Sequence, residues 1–145
     1  MNLYIELKTK HQREVNDLPI HFAFGQEQFD EMMVEFGLDP SDTAQIYSLN
    51  GGAGGYVLKN DFDLVTETFD RHERERAEAI AADKRGTQYI YHMFRTELEN
   101  SEYGWTQCVE DALDRLGLTY EDFESNPALG RGLEKAKKSI KMFCF

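Results

Sequence analysis

The chain has 145 residues, with 27 Asp and Glu against 16 Lys and Arg, for a formal net charge of −11. A field of that sign repels phosphate backbones, which argues against direct nucleic-acid binding and favours basic partners. With 41% apolar or aromatic positions, ten Phe and seven Tyr, the composition is that of one folded domain rather than a disordered acidic tail. No run approaches the roughly 18 consecutive apolar residues of a membrane span, and the charged segment Met1 to Lys10 is unlike a signal peptide, so a cytoplasmic location is expected. Cys108 and Cys144 are too few and too far apart for a disulfide framework or a zinc site.

In chain order, Leu3, Ile5 and Leu7 alternate with Tyr4, Glu6 and Lys8 as in a strand, yet the stretch through Asp17 also permits a helix. Beyond Pro19, Ile20, Phe22 and Phe24 alternate with His21, Ala23 and Gly25 at the period of a half-buried strand. Phe29, Met32, Met33 and Phe36 then follow helical spacing, and Gly37 can end that helix. Ile46 to Leu49 and Tyr56 to Leu58 flank Asn50-Gly51-Gly52-Ala53-Gly54-Gly55, which predicts a hairpin whose glycines supply the reversal.

Asn60 or Asp61 can cap a helix bearing Phe62, Val65 and Phe69, running through the mixed charges of Arg71 to Lys84 and broken at Arg85-Gly86-Thr87, with Thr87 as the next cap. Ile90, Met93, Phe94 and Leu98 form the next stripe. Trp105, Cys108, Val109, Ala112, Leu113 and Leu116 form the most regular one, closed by Gly117. Leu118, Tyr120 and Phe123 suggest a short turn, and Asn126-Pro127 opens a last helix with Leu129, Leu133, Ala136, Ile140 and Phe143 inward. The expected fold class is α+β: a small antiparallel element in the N-terminal half and a mainly helical C-terminal half.

Catalytic motifs are missing. The Gly-rich run joins two strand-like segments and lacks both the P-loop and the dinucleotide patterns, so it reads as a turn that also permits close approach by a partner. His11, His21, His72 and His92 show neither HExxH nor Glu-x-x-His spacing, and His72 continues the Phe62, Val65, Phe69 stripe. No cofactor is expected, and neither catalytic nor metal-binding residues are assigned. The competing class is a metal-dependent or acid/base enzyme using His72 or His92 with nearby carboxylates.

Charge is the other signal. From Asp17 to Leu58 seven carboxylates meet no Lys or Arg, and from Glu97 to Glu124 nine are opposed only by Arg115. Solubility explains such a balance without any partner. The functional reading is a surface for a basic protein, including imitation of DNA phosphates. The last helix carries Arg131, Lys135, Lys137, Lys138 and Lys141 against Glu134, and could pair with the acidic face within the molecule or across a homodimer.

Four stretches carry a resemblance: Phe22-Ala23-Phe24 leading to Gln28-Phe29, the Gly51 to Lys59 turn followed by Asp61, Glu97-Leu98-Glu99-Asn100-Ser101-Glu102-Tyr103, and Asp111-Ala112-Leu113 before Leu116-Gly117. Together the chain resembles an uncharacterised group of small acidic proteins of bacteriophages and other mobile elements, with no established activity. The resemblance implies an accessory role in a mobile element. The local chemistry of the third string also fits a helix end, with Asn100 near the C-cap and Gly104 left-handed. Candidate partner-binding residues are therefore Asn50, Gly51, Gly52, Gly54, Gly55, Glu97, Asn100, Glu102, Tyr103, Asp111 and Asp114.

Overall fold

The computed structural model describes residues 1–49 and 54–143. The chain divides into two compact units, one made of 1–11 with 74–145 and the other of 12–73. Two helices, α1 (Leu3–Asn16) and α3 (Phe62–Ala82), contribute residues to both. The open question at the N-terminus is thus answered by a helix, in which Tyr4 and His11, two turns apart, are the buried residues.

Unit 12–73 is built on a three-stranded antiparallel sheet of order β1-β3-β2, formed by β1 (His21–Phe22), β2 (Ile46–Leu49) and β3 (Gly55–Leu58). The hairpin register runs from Ile46 opposite Leu58 to Leu49 opposite Gly55, as the turn signal predicts. Helix α2 (Gln26–Glu35) lays Met32 and Met33 into a core with Ala23 and Ile46, while Phe29 and Phe36 pack at its edge. Gly37, at φ +77, ends it in the left-handed conformation that glycine adopts without a Cβ penalty.

The inward face of the first strand is the opposite of the expected one. Ala23 is buried, while Phe22 and Phe24 are 62% and 71% exposed and stack on each other at 6.3 Å. Beside the two methionines the small Ala23 fits. Phe24 instead lies over Gly54, where a Cβ would stand 2.5 Å from its ring.

The other unit is helical. Helix α4 (Tyr89–Asn100) is its axis, with Ile90, Met93, Phe94 and Leu98 buried on the predicted stripe. Its main neighbour is α8 (Pro127–Ser139), which starts as its sequence indicates: the Asn126 Oδ1 accepts the Ala128 N–H at 3.1 Å and Pro127 occupies the first turn. Close approach here requires glycine, since a Cβ on Gly132 would sit 2.4 Å from the Ile90 Cγ2 and one on Gly86 would sit 2.3 Å from the Ala128 carbonyl oxygen.

Two further expectations are corrected. The Trp105 to Leu116 stripe is not one helix but a turn, α5 (Tyr103–Thr106), and a separate α6 (Glu110–Leu116). Gln107 between them is left-handed at φ +56, and the Thr106 Oγ1 accepts the Cys108 N–H at 3.1 Å, a local bond that competes with helix continuation. Cys108 is consequently exposed rather than on an inner face. The left-handed residue after α4 is Glu102, at φ +59, and not Gly104. Glycine is needed at 104 for space: a Cβ there would meet the Lys141 carbonyl oxygen at 2.7 Å, and the Gly104 carbonyl accepts the Phe143 N–H at 2.8 Å. Phe143 lies beyond α8 and stacks on Trp105, with ring centroids 4.3 Å apart. Helix α7 (Tyr120–Ser125), just before α8, begins with a Thr119/Asp122 capping box.

Candidate functional site

The most specific sequence string, Glu97 to Tyr103, folds inward. Glu97 is only 5% exposed, so it is not part of an exposed acidic face. Its carboxylate accepts hydrogen bonds from the Tyr4 hydroxyl, from the Lys8 Nζ at 3.1 Å and from the Asn100 Nδ2 at 3.1 Å. Tyr4 and Lys8 are four residues apart and share one face of α1, which pins that helix to α4. Burial by itself would raise the Glu97 carboxyl, but the bonds from Tyr4, Asn100 and Lys8, with the Lys8 charge, hold it below the usual carboxylate range. Burial and the Glu97 charge push the Tyr4 hydroxyl strongly the other way. Ser101 and Tyr103 are buried as well, with the Ser101 Oγ donating to the Glu97 carbonyl at 2.7 Å. A lone Glu in an acidic run gives no warning of this; the readable signal is the Tyr4/Lys8 pair facing it, once residues 3–16 are known to be helical.

Asp83 is the second buried carboxylate missed by sequence reasoning. It accepts the backbone N–H groups of Gly86 at 3.1 Å, Gln88 at 2.9 Å and Ile90 at 3.0 Å. It thus satisfies the start of α4 from five residues upstream of the Gln88 N-cap, in place of the expected Thr87 cap.

Between these two anchors, α1 and the last turns of α3 enclose a cleft of about 650 Å³. Its apolar lining comes from Leu3 and Leu7 on α1, Ala79 and Ala82 on α3, and Tyr89 at the start of α4. Tyr89 meets Tyr4 edge-on at 5.6 Å, and burial raises its hydroxyl pKa to about 12, with Arg76 opposing the shift. The polar rim is mostly acidic, with Glu6, Glu75, Glu78 and Asp83 against Lys10. Lys10 donates to Glu75 at 2.9 Å, and the His11 Nε2 lies 3.6 Å from the same carboxylate.

In unit 12–73 the His72 Nε2, 2% exposed, lies 3.5 Å from the Glu14 Oε1, and Arg71 pairs with the same carboxylate. His21 lies 3.4 Å from an exposed Glu35. His92 is held below its usual pKa by burial and then by the N-terminal amine, Lys135 and Arg95, and among the described residues it has no carboxylate in ion-pair reach.

The structure brings Glu97 and Asn100 together and leaves Glu102 exposed before α5 and Asp111 and Asp114 exposed on α6. Gly54 and Gly55 are buried beneath Phe24 and Phe22, while Asn50, Gly51 and Gly52 lie outside the described residues. A family model matches residues 3–139, from the first residue of α1 to the last of α8. The chain belongs to DUF7659, a family of unknown function. No curated protein and no solved structure matches this DUF7659 member significantly. Among the described residues no helix is long and apolar enough to cross a membrane.

Proposed function

We propose that this DUF7659 protein is a non-catalytic interaction protein that engages a basic protein partner, in service of a mobile genetic element. One observation carries the reading: after Glu97, the acidic run keeps Glu99, Glu102, Glu110, Asp111, Asp114, Glu121 and Glu124 exposed, with Arg115 the only cation among them. Of these, Glu99 pairs with Arg95 at 3.1 Å and Glu110 accepts the Tyr120 hydroxyl at 3.0 Å, leaving the others for solvent or a partner. Such a field steers a basic surface into encounter. Occupation of a nucleic-acid site on that partner, with carboxylates standing for phosphates, is the specific form proposed. Affinity capture from host lysate at low and high salt tests it: basic proteins are retained at low salt, released at high salt, and displaced by duplex DNA. Capture that is indifferent to salt, or lost partners that are not basic, refutes it.

A second reading, acid/base or metal chemistry, is favoured by the buried His72 beside Glu14. A zinc titration that raises the thermal midpoint of the wild type but not of His72→Ala would support it over the first.

A further inference from the structure

The cleft of unit 1–11 with 74–145 has the length of a two-turn helix seat. Leu3, Leu7 and Lys10 run along one wall and Glu75, Ala79 and Ala82 along the other. Each wall spans eight residues of α-helix, about 10 Å from first to last, which is two turns of a docked helix presenting anchors at i, i+3 or i+4, and i+7. The two alanines keep the α3 wall open where larger side chains would fill the space.

The charge at the rim is unbalanced. Lys10 is matched by Glu75, and Asp83 is occupied by three backbone N–H groups. Glu6 and Glu78 are exposed and make no ion pair among the described residues. They stand on opposite walls, one on α1 and one on α3, so a segment lying between them meets a carboxylate on each side. Phe143 does not supply the occupant, since it is stacked on Trp105.

We propose that this cleft is the docking site for a basic amphipathic helix of the partner protein. Its apolar face enters between Leu7 and Ala79, and its flanking Lys or Arg residues pair with Glu6 and Glu78. The proposal rests on the basic-partner reading above and names where that partner is seated.

The test uses the full chain and a labelled 14-residue helical peptide of Leu and Lys at amphipathic spacing, with the same peptide carrying Glu for Lys as control, read by fluorescence anisotropy. The Lys peptide is expected to bind, and the Glu peptide at least tenfold more weakly. Ala79→Phe, which fills the cleft, is expected to weaken binding about tenfold, and Glu6→Gln/Glu78→Gln, on exposed side chains that leave the fold intact, about three- to tenfold with a shallower salt dependence. Glu27→Gln/Glu31→Gln, on exposed side chains of α2, is expected to stay within twofold of wild type. If cleft and rim variants bind like wild type while Asp111→Asn/Asp114→Asn, on α6, loses binding, the cleft is overturned and the basic-partner reading stands. If the wild type binds neither peptide, both fall. Equal binding of both peptides identifies an occupant chosen for apolarity alone and overturns the basic helix.

Discussion

Removing the Glu97 carboxylate is the sharpest test of how α1 is held. In Glu97→Ala the buried Tyr4 hydroxyl loses its acceptor, and a buried polar group left unsatisfied costs about 1–3 kcal/mol. The void at a nearly fully buried site adds to that, whereas Lys8 is half-exposed and returns to water at little cost. The expected loss is about 2–4 kcal/mol, read as a lower urea midpoint by far-UV circular dichroism. Tyr4→Phe removes the donor and leaves Glu97 with Lys8 and Asn100, so it should cost less, about 1–2 kcal/mol. The double variant should fall short of the sum by about 1 kcal/mol or more, because both single changes break one bond. The linkage has a definite sign: a carboxyl whose folded pKa lies below its unfolded value stabilises above the unfolded pKa, and that contribution disappears as pH falls through the folded value. The stability difference between wild type and Glu97→Ala should therefore narrow in acid below about pH 4. A Glu97→Ala midpoint within error of wild type at neutral pH, or strict additivity with Tyr4→Phe, would refute the account of Glu97 as the anchor.

Glycine positions on α8 give a paired prediction. Gly132→Ala places a Cβ against Ile90 and the Gly86 carbonyl and should destabilise by about 1–3 kcal/mol, while Gly130→Ala meets open space and should stabilise by up to about 1 kcal/mol, both by urea denaturation. At high pH the tyrosines act in the opposite sense to Glu97. Tyr4 and Tyr89 hold their protons more tightly when folded, so stability is full below about pH 10 and falls above it by up to about 1.4 kcal/mol per pH unit for each. Tyr89→Phe should flatten that decline in alkaline denaturation curves; an unchanged slope would contradict the burial assigned to its hydroxyl.

Where one face of an element is buried by an unbroken run, its residues announced it. The Phe29, Met32, Met33, Phe36 stripe with Gly37, the hairpin register around Ile46 and Leu58, and the Asn126-Pro127 helix start all depend on local spacing and capping, which a sequence displays directly. The errors arose where a long-range partner decided. Ala23 rather than Phe22 or Phe24 faces Met32 and Met33, a choice set by the space under α2 and not by hydrophobicity. Trp105 and Cys108 match a helical period with Leu113 and Leu116, yet the Thr106 side chain and the left-handed Gln107 divide them. The site was less legible still, because Glu97 and Asp83 look like ordinary surface acids until Tyr4, Lys8 and the residue 86–90 backbone are brought against them. The cleft, too, comes from residues on α1 and α3 that are some seventy positions apart.

The stacking of Phe143 on Trp105 gives the molecule its own optical gauge. Trp105 is the sole indole in the chain, so its emission spectrum and quenching by iodide report on the seating of Phe143 against α5 without a label. Partner titrations or truncations that lift Phe143 from the indole would register as a change in one fluorophore.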